Sequence, residues 1–561
     1  MDFQRVFILL GLAVTSYMLV LAWNEDYGQT AAPAAVEETQ SVSNAVSADA
    51  SIPDMPQQAV DSTVPELVQS EVPVAQNEAV QTNASRRLIS VVTDVFQLQI
   101  DPLGGDIVRV ALPAYPAALE TPDVPFVLVD PRNAYVGQSG LIGPNGTDKQ
   151  GVRPRFQAEQ STYEMGTADR LDVTLSHVQE DGTTVLKTFR FTRGDYLIGL
   201  DYEVTNTTEN PWVGGLFVQI KRDGQDPMTA SDNLMGMQPF VGGATRSDEE
   251  FYRKLEFEDL EEASYKHTRS EGYMAMVQHY FVSAWVPSAG SEVSYQARKL
   301  RNQDIYLFGF TTAATTIAPG ESGTLSASFY SGPKDQYRLQ EISEGLDLVI
   351  DYGFLWWLSQ PLFWMLNVIH GMVGNWGIAI IGLTIIVKML LYPLSAASFR
   401  SMAKMRKLQP EMMRLKERYG DDQQKFSQEM MNLYKKEGAN PLGGCFPILL
   451  QMPVFLALYW TLMESVELRQ APFFLWIEDL SAMDPYFILP ILMGVSMYLT
   501  QRMQPEPPDP VQARVFKFMP IMFTFFFLWF PSGLVLYWLV NNILSIMQQY
   551  YVTRQIEKAS G

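Results

Sequence analysis

The sequence is poor in the residues that most often carry chemistry. It holds one cysteine, Cys445, and four histidines, His177, His267, His279 and His370, in 561 residues. A single thiol excludes an intrachain disulfide, and Cys445 lies in an apolar run where a small buried residue is expected. The histidines show no ligand spacing, so no metal site is expected, and no cofactor. No glycine-rich nucleotide motif, convincing nucleophile or paired carboxylate stands out. Basic residues are also scarce, 41 Lys and Arg against 62 Asp and Glu, a net charge of -21. Residues 341–561 carry 17 of the former and 18 of the latter, so the acidity belongs to the first 340 residues. Such a surface repels phosphate, and DNA is excluded as a partner.

What the chain has is long apolar runs, hidden in a mean hydropathy of -0.03 that averages unlike halves. Phe3 to Trp23 is apolar behind Arg5, and Asn24-Glu25-Asp26 follows where a small-residue cleavage site belongs. Residues 1–23 therefore read as an uncleaved signal anchor, and 24–85, rich in Ala, Val, Pro, Ser, Gln and Glu, as a flexible tether. Residues 86–335 change to a period of two. Phe96, Leu98 and Ile100 alternate, as do Leu171, Val173 and Leu175, and Tyr196, Ile198, Leu200, Tyr202 and Val204. Val185, Lys187, Phe189 and Phe191 do so less cleanly, and Leu325, Ala327 and Phe329 close the set. Many short strands between Gly, Asn and Asp turns predict a large β-sandwich. Asp94 and Asp101 read as solvated strand ends.

Residues 336–376 form an amphipathic or interfacial segment. Leu339, Ile342, Leu346, Val349 and Ile350 recur at helical spacing opposite Glu341, Glu344, Asp347 and Asp351. That helix lies on the outer membrane interface or packs on the β-domain; both readings stand. Phe354–Gly374, with Trp356, Trp357 and Trp364, reads as interfacial or as an extension of the same helix. A transmembrane helix is expected over 377–395, and Lys388 sits inside its apolar run Ile378–Leu394, which contains no Asp or Glu. Thr384, four residues earlier, shares its face. The ammonium either snorkels to the headgroups or meets a water-filled groove.

Residues 396–440 are basic, with Arg400, Lys404, Arg406, Lys407, Arg414, Lys416 and Arg418 in the first arm. By the positive-inside rule this segment is cytoplasmic. It reads as a helical hairpin: one arm to Tyr419 with a break near Pro410, a Gly420 stop, an Asp421 cap with Gln424, and a second arm to Lys436 before Gly438, Asn440 and Pro441. Its surface suits anionic lipid, an acidic partner or ribosomal RNA. Further spans are expected at 441–463, 485–501, 515–530 and 533–552. They are joined by an outer loop 464–484, a cytoplasmic loop 502–514 and a tight turn at Pro531-Ser532-Gly533, and followed by a cytoplasmic tail, 553–561. The fold class is thus a multi-pass α-helical membrane protein of six predicted spans, both termini cytoplasmic, with an exported β-sandwich. Gln451, Ser496, Thr524, Asn541 and Asn542 interrupt the apolar runs. Singly each reads as an interhelical hydrogen bond; with Thr384 and Lys388 they suffice to line a cavity.

Four long segments carry a family resemblance: YPLSAASFRSMAKMRKLQPEM (392–412), GDDQQKFSQEMMNLYKKEGANPLGGCFPILLQMPVFLALYW (420–460), SVELRQAPFFLWIEDLSAMDPYFILPILMGV (465–495) and FMPIMFTFFFLWFPSGLVLYW (518–538). They resemble the bacterial YidC insertases, related to mitochondrial Oxa and chloroplast Alb proteins, in the Gram-negative form with a large periplasmic domain. The resemblance implies an inner-membrane insertase and chaperone, not an enzyme. It implies a five-helix bundle around a hydrophilic groove open to cytoplasm and lipid, and a galactose-mutarotase-like sandwich without that activity. Its partners would be nascent inner-membrane proteins, the Sec translocon, ribosomes with targeting factors, and lipids. The family's groove carries a positive residue, usually Arg; here the matching position is Lys388. Thr384 matches a position on the substrate path. Tyr537-Trp538 stands where the family often has paired tyrosines. The expected groove set is Thr384, Lys388, Gln451, Thr524, Tyr537, Trp538, Asn541 and Asn542. A membrane-anchored carbohydrate-active enzyme would leave the second half unexplained, and a small-solute transporter would be expected to show intramembrane carboxylates.

Overall fold

The computed structural model describes residues 87–148, 152–225, 239–247, 250–301, 303–419, 422–437, 446–504 and 510–560. The signal anchor, the tether, Gly420, Asp421, Gly438 to Pro441 and Cys445 lie outside the described residues. The chain divides into two compact units. One runs to Asp351 and includes Met463–Glu467; the other takes Tyr352–Leu462 and Leu468 onward.

The first unit is built of two sheets, of eleven and nine strands, that share one core. The cleanest alternation in the sequence becomes the strand Leu197–Thr205, paired antiparallel with Thr184–Thr192 and Ser322–Pro333. Leu200 stands opposite Phe189 and Ala327, and all three are buried. Alternation at a period of two puts one face of each strand inside, and that rule carries Lys187 inward with Phe189. Lys187 is 0% exposed. Its ammonium donates to the Gly104 carbonyl at 3.0 Å and to Ser139 Oγ at 2.8 Å. Gly104 and Gly105 make the turn into the strand Asp106–Ala118 with φ of 78° and 64°, and a side chain on Gly105 would collide with the Lys187 stem. Arg153 pairs with Asp148 at 2.5 Å and with Asp106. The cluster therefore matches two cations with two carboxylates. Burial still pushes the Lys187 amine down to about 7, against the attraction of Asp106.

Of the two aspartates expected at the surface, Asp94 is exposed and Asp101 is not. Asp101 is buried and accepts from Leu103 N at 2.9 Å; Asp94 accepts from Gly194 N at 2.8 Å. Asp101 bonds an amide of its own turn, as short carboxylates commonly do, whereas Asp94 reaches a turn 100 residues away in the chain. Helix α1 is Phe257–Glu262 and α2 is Gln336–Ile342. Asp335 caps α2 through Tyr337 N and Arg338 N. The helix expected to run on through Ile350 stops at Ser343, and Gly345 at φ 83° turns the chain. Leu339, Leu346 and Val349 are buried beside Ala244, Tyr273 and Tyr330. The apolar stripe is thus spent on the β-unit. Met463–Glu467 joins the same unit: Val466 enters the core, and Glu464 meets Lys334 at 2.8 Å, both buried.

The second unit is helical. Helices α3 (Trp356–Val373) and α4 (Trp376–Leu390) are separate. Gly374, at φ 66°, ends the first, and Asn375 caps the second through Ile378 N at 3.0 Å. Residues 354–374 are therefore mostly a helix of their own, not an extension of the preceding one. The span expected to be continuous to Leu394 breaks at Leu391, where α4 bends by 68° into α5 (Tyr392–Tyr419). Pro393 explains the break: its ring has no N–H to return to the preceding turn, and it suits the first turn of a new helix. Pro410, expected to interrupt this arm, sits inside α5 without ending it. Helix α6 (Gln423–Glu437) is capped by Asp422, which accepts from Lys425 N at 3.1 Å. Then come α7 (Phe446–Glu464), α8 (Ile488–Arg502), α9 (Pro510–Phe526) and α10 (Ser532–Ser560). Helix α10 packs on α4, α5 and α8. Among the described residues no single helix is long and apolar enough to cross a membrane, and the bent pair α4–α5 passes only as a pair. Helices α8 and α9 have only 15 and 17 residues, and Asn541, Asn542, Gln548 and Gln549 interrupt α10.

The buried amine of Lys187 yields a pH test. A lysine whose folded value lies near 7 and unfolded value near 10.5 leaves the unfolded chain holding more protons between those limits, so stability rises with pH there. From pH 7 to 9, below the titration of unfolded tyrosine, the gain is about 2 kcal/mol. Thermal unfolding of the solubilised chain followed across that window should show it, and Lys187→Met should flatten the dependence. A wild-type profile as flat as the variant's would count against it.

Candidate functional site

The polar residues of the second unit converge on Lys388. Helix α4 carries it near the 68° bend, and it is 5% exposed. An ammonium removed from water needs hydrogen-bond acceptors or a countercharge. Lys388 Nζ donates to Ser545 Oγ at 2.7 Å and to Gln451 Oε1 at 3.2 Å. Both acceptors are held by one residue. Gln451 Nε2 donates to Asn541 Oδ1, which fixes which end of the amide faces the lysine. Ser545 Oγ donates to the Asn541 carbonyl at 2.7 Å, which turns its lone pair toward Nζ. Three helices, α4, α7 and α10, thus supply one chain of bonds: charged at one end and neutral throughout the rest.

The other expected groove residues divide. Thr384 shares the buried face of α4, but its hydroxyl returns to the Ile380 carbonyl at 2.7 Å, as a threonine in a helix commonly does. It offers a methyl and a small profile near Lys388 rather than a bond to it. Asn542 donates to Ser496 Oγ at 3.1 Å and so ties α10 to α8. Thr524 donates to Pro520 O at 2.8 Å and presses on Gly494 of α8, a helix-packing position and not part of the lysine network. Tyr537 is buried beside Gln451. Trp538 stands edge-on to Phe455 at 4.6 Å and lies 5.4 Å from Phe527. With Phe530 these rings form an aromatic block displaced along the helices from the polar chain, since Phe455 lies one turn after Gln451 and Trp538 one turn before Asn541 on the same faces.

Sequence reasoning missed Ser545. The signal was present: it lies four residues after Asn541 in an otherwise apolar stretch, hence on the same face. On α5, Arg400, Lys404, Arg406, Lys407, Arg414, Lys416 and Arg418 are all exposed. Met402, Met405 and Met412 face inward, against Tyr434 of α6 and Val552 of α10. This is an amphipathic arm with its basic side turned away from the packed face.

The bond between Gln451 and Asn541 can be measured. In a double-mutant cycle of Gln451→Leu and Asn541→Leu, scored by reversible unfolding in detergent, a coupling energy of about 1 kcal/mol is expected. Strictly additive losses would show that the bond contributes nothing.

The geometry is matched by descent. The family model described as "60Kd inner membrane protein" matches residues 368–559, and that described as "YidC periplasmic domain" matches 88–365. A solved structure titled as an active YidC insertase with its first transmembrane domain resolved aligns with 83% of this chain and 93% of its own, at 19% identity and a TM-score of 0.39. A protein named membrane protein insertase YidC in Cellvibrio japonicus is 53% identical over 100% of both chains. Its namesake in Marinomonas sp. is 50% identical over 99% of this chain and 100% of its own. These relatives favour neither the carbohydrate-active enzyme nor the transporter. Identity at this level, from end to end and through both halves, settles descent: the chain belongs to the YidC family of membrane protein insertases.

Proposed function

We propose that this chain inserts inner-membrane proteins by passing their polar segments along the Lys388 chain of bonds, open to the cytoplasm and closed at the outer side. One observation carries the reading. Lys388 is held among helices by Gln451 and Ser545, neutral acceptors that an incoming carboxylate can replace. Moving a polar tail across hydrocarbon is costly because its groups lose water. A polar groove reaching partway shortens the apolar barrier. The ammonium attracts an acidic tail, and the substrate's apolar helix leaves past Thr384, Tyr537 and Trp538 into lipid. Partition into lipid and the membrane potential drive the step.

In this reading the chain crosses the membrane six times, with both termini and the α5–α6 hairpin in the cytoplasm and the β-unit in the periplasm. The α4–α5 bend places Lys388 close to the inner surface. The aromatic block of Phe455, Phe527, Phe530 and Trp538 excludes water on the outer side. The exposed cations of α5 dock the ribosome and targeting factors, and insertion proceeds alone or beside the Sec translocon.

Two tests follow. Lys388→Arg should retain insertion of acidic-tailed substrates into proteoliposomes, and Lys388→Glu should reduce it about tenfold or more; equal insertion by both variants would remove the charge argument. Reversing Arg414, Lys416 and Arg418 to Glu should weaken ribosome pull-down and spare the insertion of short substrates added after synthesis. Unchanged pull-down would remove the docking role.

A further inference from the structure

The loop between α7 and α8 is inside out. Two of its carboxylates, Asp479 and Asp484, are spent on bonds inside the loop. Asp484 is buried and accepts from Trp476 Nε1 at 3.0 Å, Tyr486 N at 3.0 Å and Leu489 N at 2.7 Å. Asp479 accepts from Gln470 N, Ser481 N and Ser481 Oγ. Leu468, Ile477 and Leu480 are buried, but a set of larger apolar side chains is turned outward. Phe474 is 54% and Leu475 88% exposed, and Met483, Tyr486 and Phe487 are exposed as well. A loop resting in water arranges these groups the other way round.

The arrangement is also strained. Among the described residues four that are not glycine have a positive φ, and three of them, Gln470, Leu475 and Phe487, belong to this loop. A leucine in the left-handed region persists only where the surroundings over-determine it. Here they do. Phe473 lies over Gly377, leaving no room for a side chain there, and Asn375 Nδ2 donates to the Pro472 and Phe473 carbonyls at 3.3 and 3.2 Å. At the other end Ser532 N and Gly533 N donate to Ala482 O and Leu480 O at 2.7 and 2.9 Å. The loop is therefore clamped to the starts of α4 and α10, the two helices that carry Lys388 and Asn541, and it holds its tip rigidly outward.

We propose that the tip Phe474–Leu475 is a membrane-insertion element seated among the acyl chains of the outer leaflet. The occupant is lipid because the tip, PFFLWI over 472–477, bears no charge and because α8, the helix that the loop leads into, exposes Ile491, Leu492, Val495 and Leu499 in the same way. Glu478, exposed on the same loop, marks its wet side. Seated in this way, the loop anchors the outer ends of α4 and α10 in the bilayer and keeps the groove closed there. The assignment to the outer leaflet rests on the topology proposed above.

The test uses the full chain with Cys445→Ser, carrying a spin label at Leu475→Cys or Glu478→Cys, in liposomes of phosphatidylethanolamine and phosphatidylglycerol. No other protein is present, so protection at 475 is protection by lipid. Collision with a water-soluble nickel chelate should be at least fivefold lower at 475 than at 478, and collision with oxygen higher. Equal chelate collision at both positions overturns the proposal. A membrane-impermeant thiol reagent applied to spheroplasts that express the unlabelled Glu478→Cys variant reads the topology separately. Reaction of that thiol from the outer face supports it, and reaction only after lysis overturns the topology and the outer-leaflet assignment together, whatever the depth measured at 475.

Discussion

A lysine ammonium buried among helices with neutral acceptors is the constraint on which the helical unit turns. Its hydration cannot be replaced by one partner, so α7 and α10 must both reach it, and Asn541 must hold both acceptors in place. That requirement sets the rotation of three helices about one point. It also explains why α10 tolerates Asn541, Asn542 and Ser545 in an apolar stretch: each has a partner. A well-packed hydrophobic replacement would often be as stable, so stability alone does not account for the lysine.

The β-unit shows the opposite solution to the same problem. Lys187 is buried as deeply, yet Asp106 and Asp148 stand nearby with Arg153 between them. There the charges balance and the bonds close on one another beneath the strands. The cluster welds the Gly104–Gly105 turn to the sheet. Both lysines donate to neutral oxygens, Lys187 to a carbonyl and a hydroxyl and Lys388 to an amide and a hydroxyl. What differs is the charge around them: Asp106 and Asp148 attract the Lys187 ammonium from nearby, and burial alone weighs on Lys388.

Charge is sorted in the same way along the rest of the helical unit. The first hairpin arm keeps its methionines for the cluster with Tyr434 and Val552 and its seven cations for the surface. The loop before α8 does the reverse, with Asp484 in and Phe474, Leu475 and Tyr486 out. Two segments of comparable length thus present opposite faces, one suited to anionic partners and the other to hydrocarbon.

Much was legible in the sequence because it rests on short-range periodicity. The alternation at Phe96–Ile100 and Tyr196–Val204 marked strands, the apolar run around Lys388 marked the central helix, and the spacing of Arg400 to Arg418 marked an exposed basic arm. Local pattern states which face a residue shares; it does not state what stands opposite. The alternation turns Lys187 inward with Val185 and Phe189, but only the tertiary structure supplied its partners, which lie 48 and 83 residues away in the chain. The helix through Ile350 was cut short because Gly345 and the β-unit compete for its apolar stripe. Thr524 packs on Gly494, and Ser545 joins the chain of bonds at Lys388, because helix rotation is set by packing among α4, α7, α8 and α10. Sequence periodicity identifies the faces, and long-range packing selects which of them meet.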